Sequence, residues 1–188
     1  MIETLRQAFP EADFMRHPCT ISDHHLRFEL GGDHPNRSEL RVEQAVQRAS
    51  CLFGELFAPS SELTILIDDY DDSGQEILSS LPRGVISTVI RDYPAQYETI
   101  VCDGCEAPPV RRIFTCSPAW VDHRTLFRYV ANTEQGRTPR INQRIYFFDV
   151  LRGIGFFMYD DRGCLIFFAD RKSYREHRHW RVEWQVND

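Results

Sequence analysis

Apolar positions along this chain change period several times, and each change marks an element. "MIETLRQAF" places Ile2, Leu5 and Phe9 at helical spacing before Pro10 breaks the pattern, which predicts a short opening helix. "HHLRFELGG" alternates Leu26, Phe28 and Leu30 with Arg27 and Glu29, the period of a half-buried strand, and Gly31 and Gly32 stop it. The strongest helical signal follows. Leu40, Val42, Ala45, Val46, Ala49, Leu52, Phe53, Leu56 and Phe57 recur at three and four residues. Asn36 or Ser38 can cap its start by accepting an orphan amide hydrogen, and Pro59 lies just past its end.

"ELTILIDDYDD" predicts a buried strand over residues 63–67 that runs out into an acidic stretch. A shorter helix is expected over residues 74–81, and residues 85–109 lose regularity, with "CDGC" and "APP" reading as connections. "VRRIFTC" reads as a strand, and "SPAWVDHRTLFRYVANTEQG" as a helix with Gly136 at its C-terminal cap. Then "INQRIYFFDV", "GIGFFMYD" and "CLIFFAD" form three aromatic and β-branched runs with short joints, the signature of an antiparallel meander. "KSYREHRHWRVEW" closes the chain as a helix. The expected architecture is α+β: a mixed, largely antiparallel sheet of about six strands, helices packed on one face, and a C-terminal β-meander. At 188 residues the chain is expected to form a single globular domain over 1–188.

Charge changes this picture in one respect. The net charge is −6, and it is unevenly placed. Residues 1–109 carry 8 arginines against 19 carboxylates, while residues 110–188 carry 14 basic residues against 9 acids. An acidic balance argues against generic nucleic-acid binding; the acidic front half either attracts a basic protein partner by long-range steering or is neutralised by the basic half across the fold. No apolar run approaches the roughly 20 residues needed to span a bilayer, and the N-terminus lacks the pattern of a secretory signal. The expectation is therefore a cytoplasmic protein whose six cysteines stay reduced.

Candidate chemistry is sparse. Tyr159, Asp160, Asp161, Arg162 and Gly163 lie between two strand-length runs, as a hairpin turn would. Asp160 can accept a turn amide two residues on, and Gly163 suits a left-handed closing position. A turn with solvated carboxylates is preferred here to a reaction centre. This motif, with "RFELGG" and "A..RA..LFGELF" upstream, resembles the bacterial domain-of-unknown-function 3885 family over residues 27–169, apart from 85–109. In that family a tyrosine-aspartate-aspartate-arginine-glycine hairpin closes a strand-rich C-terminal part. The resemblance implies a small accessory protein of the kind found beside bacterial toxins and brings no established activity. The chain departs from the family at Leu165, where an acidic residue is frequent, so no role of that acid carries over.

Asp68, Asp69, Tyr70, Asp71 and Asp72 combine clustered carboxylates with an aromatic anchor, and are either a solvated loop or a partner-docking patch. Cys102, Cys105, Cys116 and His123 could in principle ligate zinc, but a second close cysteine pair is missing, and ordinary thiols are expected. No nucleophile elbow, phosphate loop, dinucleotide fingerprint or metalloprotease motif is present, so no catalytic residues, metal or cofactor are assigned. The resulting expectation is a non-enzymatic binding module, an immunity protein that neutralises a cognate basic toxin domain. A hydrolase or transferase pairing His24 or His25 with Asp160 or Asp161, and an oligomeric accessory protein, stand as alternatives.

Overall fold

In the computed structural model, residues 1–12, 14, 24–58, 60, 62–69, 87–91, 98–101 and 109–186 are described. Their strands are β1 (His25–Glu29), β2 (Leu63–Asp69), β3 (Glu98–Val101), β4 (Val110–Cys116), β5 (Arg144–Asp149), β6 (Ile154–Met158) and β7 (Gly163–Phe168). They form one sheet in the order β1-β7-β6-β5-β2-β4-β3, every neighbouring pair antiparallel. The C-terminal meander is β5, β6 and β7. The sheet has seven strands rather than six. The additional one is β3, a four-residue edge strand inside the segment expected to be irregular, too short to show a period of its own.

Among the described residues the α-helices with defined bounds are α1 (Ile2–Ala8), α2 (Glu39–Phe57), α3 (His123–Glu134) and α4 (Arg171–His177). Ser38 caps α2 by accepting the Arg41 amide at 3.2 Å, and Asp122 caps α3 by accepting the Thr125 amide at 3.1 Å. Side chains alternate across a strand, so the sheet offers two apolar faces. On one, Leu63, Ile65, Ile67, Phe147 and Phe156 pack with the buried stripe of α2 and with Leu126 and Phe127 of α3. On the other, Leu66, Tyr146, Phe148 and Phe167 pack with Leu5 and Phe9 at α1. Helices therefore cover both faces, not one. Arg128 bridges α3 to Glu39 and Glu43 of α2, and Arg137 reaches Glu39 as well.

Two details of α2 depart from its apolar pattern. Leu40 faces solvent, and Arg41 takes the first inward position of the stripe. At the other end of the chain, the expected closing helix stops at His177, and the segment beyond it lies along β1. There the Val186 amide donates to the Arg27 carbonyl at 2.9 Å, which seals that edge of the sheet.

The strand registers gather polar residues at one end. Asp69 lies opposite Val110, Asp68 lies between Arg111 and Arg144, and Glu29 lies opposite Gly163. Hence β1, β2, β3 and β6 finish where β4, β5 and β7 begin.

Candidate functional site

The charged end is built from consecutive like charges on neighbouring strands. Asp68-Asp69 closes β2 and Arg111-Arg112 lies near the start of β4. Because successive side chains alternate, Asp68 meets Arg111 on one face and Asp69 meets Arg112 on the other. Arg111 forms a two-pronged pair with Asp68, Nε to Oδ1 at 2.5 Å and Nη2 to Oδ2 at 2.7 Å, with neither side chain more than 1% exposed. Arg112 donates to Asp69 at 3.1 Å, and Gln143 donates to its other oxygen at 3.3 Å. Asp68 and Asp69 are thus interior struts rather than part of a solvated loop or an exposed docking patch. Tyr70, Asp71 and Asp72 lie outside the described residues.

The hairpin motif sits at the same end, about two strand spacings or roughly 10 Å from β2. It is a chain reversal, as expected: the Tyr159 amide donates to the Gly163 carbonyl at 3.2 Å, and the Arg162 amide donates to Asp160 at 2.7 Å. Its carboxylates are not solvated, however. Asp160 is 3% and Asp161 1% exposed. The Arg162 guanidinium folds back onto Asp160, Nε to Oδ2 at 2.6 Å, and that contact raises the arginine above its ordinary range. Asp161 receives Nε of Arg41 in α2, whose Nη1 donates to the His34 carbonyl at 3.1 Å.

Gly163 is not left-handed. It is extended and is required by crowding, since a Cβ there would lie 2.1 Å from the Tyr159 hydroxyl and 2.7 Å from the Phe28 carbonyl. Gly31 is constrained in the same way, 2.7 Å from the Asp161 carbonyl and 2.8 Å from Arg41. The two motifs that seemed separate in sequence, "ELGG" and "YDDRG", therefore interlock through Arg41. Burial raises the Tyr159 phenol, which keeps it protonated, and its oxygen accepts from Arg27 at 3.2 Å.

Beside the hairpin the surface opens. A groove of about 300 Å³ runs past Thr133, Glu134, Gln143, Arg144, Phe157 and Tyr159. A cavity of about 250 Å³ adjoins it across Glu134 and is lined by Asn36, Arg37, Gln135, Asp161 and Arg162. Arg37, Glu134 and Arg144 carried no signal in the sequence, because their convergence depends on how β5, α3 and the loop before α2 meet.

The His/Asp pairs needed for a hydrolase do not converge. His25 lies opposite Phe167, whereas Glu29 lies opposite Gly163, so four residues of β1, about 13 Å at strand rise, separate the histidines from the aspartates. His123, at the start of α3, stacks on Phe53 at 4.8 Å, and burial holds it below its usual value. Burial also pushes the Cys116 thiol up to about 12. Cys102 and Cys105 lie outside the described residues, and among the described residues no three His, Cys, Asp or Glu side chains form a metal-holding group. Among those residues, too, no helix is long and apolar enough to cross a membrane.

Residues 1–187 match the family described as "Domain of unknown function (DUF3885)". The chain belongs to that family. The match extends beyond the region 27–169 on which the resemblance was first legible and takes in the segment 85–109. No curated protein and no solved structure matches the chain. Within this DUF3885 protein the hairpin motif is thus a keystone between β1, α2 and the meander, with an open cleft at its side.

Proposed function

We propose that this DUF3885 protein is a non-enzymatic protein-binding module that captures a basic partner, acting as an immunity protein that covers a cognate toxin domain. One observation carries the proposal. Among the described residues, each of the five buried aspartates is held: Asp68, Asp69, Asp160 and Asp161 by arginines, and Asp149 by the Ser60 hydroxyl and the Arg152 amide. Such pairs hold strands and helices in register and leave none of these five aspartates poised for proton transfer.

The charge left over is concentrated elsewhere. Residues 70–109 carry seven carboxylates against two arginines, a balance of −5 out of a total of −6. The chain leaves β2 at Asp69, leaves β3 at Val101 and re-enters β4 at Val110, all at the polar end of the sheet. An acidic segment anchored there would draw a basic protein toward that end and speed its association.

The test uses the polypeptide encoded beside this one as the probe. Association rates are measured by stopped flow at low and at high salt, for the wild type and for a variant with Asp71, Asp72, Glu76, Asp103 and Glu106 changed to Asn or Gln. The expected result is tight binding whose on-rate falls on the order of tenfold or more both in salt and in the variant. A neighbour that does not bind, or an on-rate untouched by both changes, overturns the proposal. Asp68 and Asp69 are left unchanged, because reversing a buried charge would test folding instead.

A further inference from the structure

Among the described residues, two arginines hold left-handed backbone, Arg37 at φ 64° and Arg181 at φ 50°. A side chain other than glycine or asparagine is costly there, so each invites the question of what the side chain gives in return. For Arg181 the answer lies within the fold. Its guanidinium pairs with Glu55 and sits 5.2 Å over the Trp184 ring, which ties the C-terminal segment to α2.

Arg37 differs. Its backbone is clamped on both sides, the amide donating to the Gln135 side chain and the carbonyl accepting from Arg137 at 2.9 Å. Its guanidinium has no hydrogen-bond or ion-pair partner among the described residues, and the residue lines the 250 Å³ cavity. Arg162 lines the same cavity. Asp160 takes its Nε and Nη2, which leaves Nη1 available to the cavity. Asp161 adds no free charge, since Arg41 holds it. The remaining anion is Glu134, exposed at the wall shared with the larger groove and close enough to Arg162 to raise it.

The geometry points to a binding site for a small zwitterion, a free α-amino acid, with its carboxylate on Arg37 and Arg162 and its ammonium on Glu134. Guanidinium edges suit a planar carboxylate, and charge-assisted bonds are the strong ones. A purely anionic ligand would meet Glu134, and a purely cationic one would meet two arginines. The adjoining 300 Å³ groove, with Phe157 and Met158 on its wall, leaves room for the amino-acid side chain. The site is independent of the acidic segment 70–109, so it stands or falls separately from partner capture.

The experiment titrates the full chain with each common amino acid, and with acetate and methylammonium as half-ligands, following arginine Nε–H and backbone resonances by NMR. At least one amino acid is expected to shift Arg37 and Arg162 saturably, and acetate and methylammonium at least about tenfold more weakly. Arg37→Gly relieves the backbone, so it should melt no lower than the wild type and yet lose the binding. Glu134→Gln should weaken the amino acid about tenfold while leaving acetate unchanged. The assignment is overturned if no amino acid titrates, if acetate binds as tightly, or if Arg37→Gly binds like the wild type.

Discussion

Replacing Asp161 with asparagine isolates one charge at the keystone of the fold. The change is nearly isosteric, so packing around Gly31 is kept, but the Arg41 guanidinium loses its counter-ion. Removing one partner of a buried pair costs about 3–5 kcal/mol, because the other charge is left uncompensated away from water. Arg41 retains its bond to the His34 carbonyl and keeps 11% of its side chain exposed, which places the cost near the lower bound, about 3 kcal/mol. For a chain of this length that corresponds to a fall in Tm of roughly 6–12 °C. Urea unfolding followed by circular dichroism gives the loss directly. The double variant Arg41→Met with Asp161→Asn removes the stranded charge, so its loss should fall short of the sum of the two single losses by about 2 kcal/mol. A single-variant loss below about 1 kcal/mol, or strict additivity in the cycle, would refute the account of Asp161 as a buried electrostatic strut.

Two further outcomes are expected. Gly163→Ala forces a methyl group into the Tyr159 hydroxyl and the Phe28 carbonyl, and should cost about 1–3 kcal/mol in the same urea assay; an unchanged midpoint would show that the hairpin and β1 are less closely apposed. His123 is held below its usual 6.5 by burial, so the unfolded chain takes up a proton that the folded chain resists. Its contribution is complete above that usual value and is lost as the pH falls through the lower folded one. His123→Phe should therefore lose less stability than the wild type between about pH 7 and about pH 5, and equal losses would count against a buried neutral imidazole.

Local pattern was enough for the elements whose signal lies within a few residues. The α2 stripe, the β1 alternation, the aromatic meander and the chain reversal at Asp160 all depend on spacing that the chain carries in place. Leu40 and Arg41 show the limit. Spacing alone assigns the leucine inward, yet the arginine turns in because Asp161, 120 residues away, is there to receive it. Gly163 shows another: glycine signals a constraint without naming it, and the constraint proved to be steric contact with β1 rather than a left-handed turn.

Sequence by itself thus determined an α+β sheet protein, the periodic helices and strands, and an acidic stretch between β2 and β4, since each follows from side-chain chemistry read along the chain. Only the tertiary structure decided which carboxylates are solvated. Asp68 and Asp69 looked like surface and are core, because two arginines 43 residues further on become their neighbours across a strand pair. Register is a relation between distant segments, fixed by burying both sheet faces at once, and no local window contains it. The cleft with Arg37, Glu134 and Arg162 has the same origin: two charges unremarkable in sequence and one from the hairpin motif share one cavity once the sheet, α3 and the hairpin have packed.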